Sequence, residues 1–204
     1  ATSASGLFEY NARLDKLTHH TANSKQTGSI SGNQIRALYI DKKGRFWIGA
    51  KSDGLNLFEP TTRTFKTVSS PHQLPSNSIY NIVEDDAGQL WMGTHSGIAC
   101  FSPETGQFIN FGPHYGLQSL IYDINAYAKT ADGHILMGGS GGLNLFDPAT
   151  IRLQFYMAPL IVSKLEVFNQ VKAIDISTFK SFTLDYNNNY ISFEFALLDF
   201  TNPE

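Results

Sequence analysis

The chain has 204 residues, of which 42% are hydrophobic and 16% charged, and its formal net charge is −3. This composition is typical of a soluble globular protein with ample apolar surface for a core, and it excludes a disordered chain. No apolar run reaches the length of a membrane-spanning helix, and the basic residues are too scattered for a nucleic-acid surface.

The first 22 residues predict two short strands. Gly6–Tyr10, followed by Leu14 and Leu17, has the same pattern as Gly97–Phe101, followed by Thr105 and Phe108. Because the later copy belongs to the second half of a longer repeat, we expect residues 1–22 to form the outer half of a four-stranded unit.

Three full units follow at about residues 30–70, 74–112 and 119–158. Equivalent residues in them recur at intervals of 44 and 45 positions. Such a period is typical of β-propeller blades or of two-helix solenoid units. The recurring sets are Ile35, Ile79 and Ile124; Gly44, Gly88 and Gly133; Trp47, Trp91 and Leu136; Gly49, Gly93 and Gly138.

The second unit distinguishes between these two architectures. It contains four short runs rich in aromatic and branched residues, and each is bounded by Gly, Pro, Asp or Asn, which favour tight turns. The pattern predicts an all-β fold, a partial β-propeller of about 3.5 four-stranded antiparallel blades. Recurrence of Trp47 and Trp91 favours packing between blades. The four runs are Ile79–Asp85, Gln89–Thr94, Ile98–Phe101 and Gln107–Phe111.

After Pro159 the spacing changes, and residues 159–204 are expected to begin a second domain. There Ile191, Phe193, Phe195 and Leu197 alternate with smaller or polar residues. Alternation of this kind predicts a half-buried strand of a β-sandwich.

The repeat resembles a known family. Leu74–Ile79, Glu84–Gly88 and Leu90–Thr94, followed by Gly97–Ile98, resemble the two-component regulator propeller repeat of bacterial sensor proteins. The third unit departs from the pattern. The first unit matches through Asn33, Ile35, Asp41, Gly44, Phe46–Gly49 and Gly54–Phe58, whereas the third has Tyr122, Thr130 and Leu136 in place of Asn, Asp and Trp.

The segment Tyr190–Glu204 is similar to the opening of the Ig-like domain called Y_Y_Y, which follows such propellers. The two resemblances imply a periplasmic sensory region of a transmembrane receptor that is not itself an enzyme. It would control a cytoplasmic histidine kinase or diguanylate cyclase and would reach the membrane only through downstream segments. Two alternatives stay open, a carbohydrate-active propeller enzyme and a protein-interaction scaffold.

Binding residues are expected where the units differ, because repeated residues build the fold. In an up-and-down propeller, the links between blades and the turns between second and third strands share one face. The expected ligand is a small molecule such as an oligosaccharide. The candidate contact residues on this face are Asp53, His72, His95, Tyr115 and Tyr122.

No catalytic residue, metal site or cofactor is assigned. Gly138–Gly142 fits the G-x-S-x-G pattern of hydrolases, but a nucleophile elbow needs a strand that turns into a helix, and here a glycine-rich hairpin is expected. The six histidines lack ligand spacing. Cys100 is interpreted as a small buried hydrophobic residue.

About 3.5 blades are too few to close a propeller ring. We therefore expect either further blades upstream or a homodimer in which each copy supplies half of a ring of about seven blades.

Overall fold

The computed structural model of the chain describes residues 4–69, 73–151, 160–168, 170–174, 183 and 185–197. The chain divides into two compact units, Ala1–Phe155 and Tyr156–Glu204. The described residues form β-strands connected by turns and one short 3₁₀ turn. None of their helices is long and apolar enough to cross a membrane.

The first unit begins with a two-stranded antiparallel sheet, β1 (Leu7–Asn11) and β2 (Lys16–His20). Gly6, just before β1, has a φ of 81° and donates its N–H to Asn33 O at 2.7 Å. Gly54, just before the third strand of the next sheet, and Gly97, which begins the third strand of the sheet after that, also have positive φ values. β1 and β2 therefore take the places of the third and fourth strands of a four-stranded sheet.

Two complete sheets follow, and both are antiparallel meanders in which neighbours along the chain pair. This order confirms the four-stranded unit predicted from the repeat. The strands of the first sheet are β3 (Ile35–Ile40), β4 (Phe46–Ala50), β5 (Leu55–Glu59) and β6 (Thr64–Thr67). Those of the second are β7 (Ile79–Glu84), β8 (Leu90–Thr94), β9 (Gly97–Ser102) and β10 (Gln107–Phe111).

The third repeat has three described strands in the order β11-β12-β13. A 3₁₀ turn at Pro113–Tyr115 precedes it. The fourth strand predicted for this unit, before residue 158, lies outside the described residues. The three strands are β11 (Tyr122–Lys129), β12 (Ile135–Gly139) and β13 (Gly142–Phe146).

The core of the first compact unit, Ala1–Phe155, lies between its sheets. Trp47 and Trp91 are only 2% and 1% exposed. Trp47 belongs to a cluster with Met92 and Phe101 of the next sheet, and Trp91 belongs to one with Met137 of the sheet after that. The predicted packing of the repeated tryptophans between blades is therefore confirmed, and it supplies much of the apolar burial that holds consecutive sheets together.

The second unit contains a three-stranded sheet in the order β15-β14-β16. Its strands are β14 (Leu160–Val167), β15 (Gln170–Ile174) and β16 (Ile191–Leu197). The sequence predicted a half-buried β16, but Phe193 and Phe195 are 54% and 58% exposed. This prediction is wrong for the described residues, because none of them covers the aromatic side of β16.

Candidate functional site

The links between sheets and the hairpins between second and third strands meet on one face of the first unit. Lys51 N, in the β4–β5 hairpin, donates to Gln34 O at 2.8 Å, and Gly97 N donates to Leu120 O at 2.7 Å. These bonds join residues that the repeat predicted on a common face. We call this surface the loop face and define it by the hairpins 50–54, 95–96 and 140–141 and the links 31–34, 73–78 and 112–123.

His95 lies at the tip of the β8–β9 hairpin and is exposed. Its Nδ1 atom is 3.3 Å from the hydroxyl of Tyr80, and the two rings meet edge to face with centroids 6.2 Å apart. Tyr80 was not among the candidates predicted from sequence. The sequence feature that could have identified Tyr80 is the repeat itself. The equivalent position of the first repeat holds Arg36, so this position varies between repeats.

Asp53 lies in the β4–β5 hairpin, and its carboxylate packs against Gly32. A side chain on Gly32 would overlap the carboxylate, so the link needs glycine there. Burial of the carboxylate raises the pKa of Asp53 above its ordinary value. The carboxylate of Asp53 is thus partly covered by Gly32, although the residue as a whole is exposed.

Tyr115 ends the 3₁₀ turn and is 60% exposed. Its ring meets that of Phe111 edge to face at a centroid distance of 5.0 Å. Gly116 follows with a φ of 76°, in the left-handed region that favours glycine. The turn therefore presents Tyr115 on the loop face as an aromatic surface supported from below.

Tyr122 does not lie on the surface and is only 1% exposed. It packs in the cluster of Trp91, Ile135 and Met137, and its hydroxyl donates to Asn144 Oδ1 at 2.7 Å. Burial raises the pKa of Tyr122 to about 12. The sequence-based choice of Tyr122 as a contact residue is corrected here, because this tyrosine fills the core between two sheets.

The remaining candidates do not converge on one point. His72 lies outside the described residues. Within the described chain, no hydrogen bond or ring contact joins Asp53, His95 and Tyr115, which belong to three separate loops of the same face. The cluster that the structure does form is the pair Tyr80 and His95.

Ser140 and Cys100, whose side chains could act as nucleophiles, have structural roles instead. Ser140 lies between the antiparallel strands β12 and β13, and its Oγ is 3.0 Å from that of Ser119. Cys100 is buried in β9, and burial raises the pKa of its thiol. The hairpin predicted for Gly138–Gly142 and the burial predicted for Cys100 are confirmed.

A pocket of about 400 Å³ lies away from the loop face, at the turns that join first to second strands. Its acidic residues include Asp86, which accepts hydrogen bonds from Lys129 at 2.7 Å and from Lys42 at 3.2 Å. The hydrogen bond from Lys129, followed by that from Lys42, lowers the pKa of Asp86. No group of three His, Cys, Asp or Glu side chains able to hold a metal ion occurs in the described part of the chain. Through its hydrogen bonds with Lys42 and Lys129, Asp86 connects three consecutive sheets.

The repeated segments of this chain are similar to known proteins. Residues 29–52 and 73–96 match the family model described as "Two component regulator propeller". Both segments are therefore similar to repeats of that type. They cover the links and inner strands that open the two complete sheets.

A curated relative, "Histidine kinase P4" of Formosa agariphila, is 24% identical over 98% of this chain. The chain spans only 19% of that relative's length. It is thus similar to one part of a much longer histidine kinase.

Two solved structures show the same fold. One is the extracellular domain of a protein described as a hybrid two-component system of B. thetaiotaomicron, with a TM-score of 0.59 and 14% identity. This similarity covers 94% of the present chain and 38% of that chain. The other is PorZ of Porphyromonas gingivalis, a surface component of the type-IX secretion system, with a TM-score of 0.52, 16% identity and coverage of 74% and 23%. The first unit is therefore part of a β-propeller.

Proposed function

We propose that this chain is an extracytoplasmic sensory region of a bacterial transmembrane signalling receptor, with no catalysis of its own. The observation that supports it is the pair of regulator-propeller repeats, which pack as adjacent sheets through Trp47. The match to a histidine kinase along 98% of the chain supports the same function. Fold alone does not set function, so the repeat type and the kinase relative carry the proposal together.

The proposal includes a domain organisation. Residues 1–158 are assigned to propeller blades, with a half blade at 1–22 and full blades at about 30–70, 74–112 and 119–158. Residues 159–204 are assigned to the beginning of an Ig-like Y_Y_Y domain. The three-stranded sheet of the second unit is compatible with a sandwich domain of this kind.

The proposed location is the periplasm, with a kinase or a diguanylate cyclase on the cytoplasmic side. A small molecule, such as an oligosaccharide, would bind the loop face. Binding changes the output only if the ligand has different affinities for the two signalling states. A ligand that bound both states equally would leave the kinase unaffected.

Two experiments test the proposal. Reading the complete gene around this chain should reveal a membrane span and kinase or cyclase motifs downstream. A library of small molecules should then contain one that raises the melting temperature of the chain and changes autophosphorylation of the full-length receptor. A complete gene with neither span nor output module would overturn the proposal.

A second function, that of a carbohydrate-active enzyme, is favoured by one observation. Tyr80 and His95 lie within hydrogen-bond distance of each other on an open surface, as an acid and base pair would. Turnover of a polysaccharide by the wild-type chain, lost in Tyr80→Phe, would establish it. If the chain turned over none of a panel of polysaccharides, the enzyme function would be rejected and only the sensory proposal would remain.

A further inference from the structure

The inner strands of the two complete sheets share an irregularity. The pairing register shifts between Ile35 and Ala37 in β3, and between Ile79 and Asn81 in β7. Arg36 and Tyr80 therefore occupy equivalent bulge positions. Bulges redirect side chains and are frequent beside binding sites.

Arg36 has no partner among the described residues. Its side chain is partly buried, and its Nε atom is buried without any hydrogen-bond acceptor. Arg45, the other partly buried arginine among the described residues, has a carboxylate partner, because its Nε lies 2.6 Å from Asp41. Even the exposed Arg63 has one, since its Nη2 lies 2.6 Å from Glu9. A partly buried guanidinium without an anion is costly. Because Nε is enclosed by the protein, a partner from solution would have to bind the Nη groups of Arg36.

Arg36 and Tyr80 begin neighbouring inner strands at the loop face. The β4–β5 hairpin holds both strand ends, because Lys51 N donates to Gln34 O at 2.8 Å and Ser52 N donates to Ser78 Oγ at 3.2 Å. Each of these acceptor residues lies two positions before one member of the pair.

Next to Arg36 and Tyr80, strands β3 and β7 approach each other closely at Gly49 of β4. A Cβ placed on Gly49 would lie 2.7 Å from Ile79 Cγ2 and 3.1 Å from Ala37 Cβ. Ala37 follows Arg36 and Ile79 precedes Tyr80, so each bulge residue is adjacent in sequence to a residue of this contact.

We propose that Arg36 and Tyr80, with His95 beside Tyr80, form a subsite on the loop face for an oxyanion of a small ligand. A guanidinium binds carboxylate, sulfate or phosphate with paired N–H donors, and this geometry selects them over neutral groups. When Nδ1–H of His95 donates to the phenol oxygen, the O–H of Tyr80 supplies a further donor to the oxyanion. This inference rests on the proposed sensory function only in treating the ligand as a signal, since anion binding is a property of the chain itself.

The test is isothermal titration calorimetry at constant ionic strength. The chain is titrated separately with trigalacturonate, with inorganic phosphate and with neutral galactotriose. Wild-type chain should bind at least one of the anions and should bind galactotriose more weakly. Arg36→Gln should weaken anion binding about tenfold to a hundredfold, the value of charge-assisted hydrogen bonds. Stronger binding of trigalacturonate identifies a carboxylate ligand, and stronger binding of phosphate identifies a tetrahedral one.

Arg13→Gln is the matched control, because Arg13 is exposed in the turn between β1 and β2 and the charge change is the same. It should leave anion binding unchanged. Arg36→Lys keeps the charge without the planar fork and should bind at an intermediate strength. It also carries the test if Arg36→Gln does not fold.

The thermal unfolding of the variants separates binding from structure. In buffer without the anions, Arg36→Gln should melt no lower than the wild-type chain, because it removes an unpaired, partly buried charge. Equal anion binding by the wild-type chain and the Arg36 variants, or binding of neither anion, overturns the inference. Anion binding that leaves autophosphorylation of the full-length receptor unchanged supports the subsite and counts against the sensory function.

Discussion

Trp91 Nε1 donates a hydrogen bond of 2.8 Å to Asp85 Oδ2, and both side chains are buried. The same bond, of the same length, joins Trp47 to Asp41 one repeat earlier. In each sheet the aspartate directly follows the first strand and the tryptophan lies on the second. The pair therefore closes the first turn of the sheet while the indole ring packs between sheets.

The third repeat lacks both members of this pair, with Thr130 and Leu136 in their places. Thr130 Oγ1 instead donates within its own turn, to Asp132 Oδ1 at 2.5 Å. A buried carboxylate or indole N–H without its partner loses solvation and gains nothing in return. The two substitutions therefore belong together, which explains why the repeat loses both residues in the same unit.

The first prediction concerns this coupling. Asp85→Thr and Trp91→Leu should each destabilise the fold, but the double variant should lose about 1–2 kcal/mol less than the sum of the single losses. Urea unfolding of the four proteins measures this difference. Asp85→Thr combined with Trp47→Leu is the control and should be additive, and equal coupling in both pairs would contradict the prediction.

The second prediction concerns a close approach at Gly93. A Cβ there would lie 2.7 Å from Asn81 Oδ1 and 2.9 Å from Tyr122 Cβ. Gly93→Ala should therefore cost about 1–3 kcal/mol of unfolding free energy by overpacking. Gly112 also has a negative φ and has open space around it, so Gly112→Ala should change stability by about 0.5 kcal/mol or less. Similar losses in the two variants would show that the space at Gly93 is not limiting.

The third prediction concerns acid. Burial acts to raise the pKa of Asp41, but hydrogen bonds from Trp47 and Arg45 outweigh it and hold this pKa below its ordinary value of 3.8. A lowered folded-state pKa adds stability that is present above pH 3.8 and is lost as the pH falls through the folded-state pKa. The stability advantage of the wild-type chain over Asp41→Asn should therefore shrink below this pH. Urea midpoints from about pH 5 to about pH 2 measure it, and an advantage independent of pH would refute the linkage.

The fourth prediction concerns the single thiol. Because Cys100 is buried and its pKa is raised, the native chain should react with a thiol reagent such as DTNB only after local or global opening. In denaturing urea, the same chain should release one equivalent of reporter. Native labelling at the rate of the unfolded chain would mean that β9 is not buried in solution.

The sequence left two ways to close the ring, further blades upstream or a homodimer, and both stay proposals. β1 and β2 form a half sheet that occupies third and fourth strand positions. Exposed Phe8 and Tyr10 on this half sheet, and Leu143 and Leu145 on β13, leave two apolar faces uncovered among the described residues.

The sequence by itself determined the described strands of the first unit, their antiparallel order and the loop face, whereas β14 and β15 of the second unit were not predicted. These features depend on local chemistry: the two-residue alternation of a strand, the turn preferences of Gly and Asp, and a spacing of 44 or 45 residues that repeats both. They survive in the third unit, where Trp is replaced by Leu136, because no single residue carries the pattern.

Only the tertiary structure decided which side chains reach the surface. Tyr122 breaks the repeat, as a binding residue would, yet it is buried because the next sheet packs over it. Tyr80 meets His95 across 15 positions, and Arg36 is set apart by the absence of an anion among its described neighbours. Such relationships depend on how separate sheets pack against one another, and periodicity along a chain carries no record of those distances.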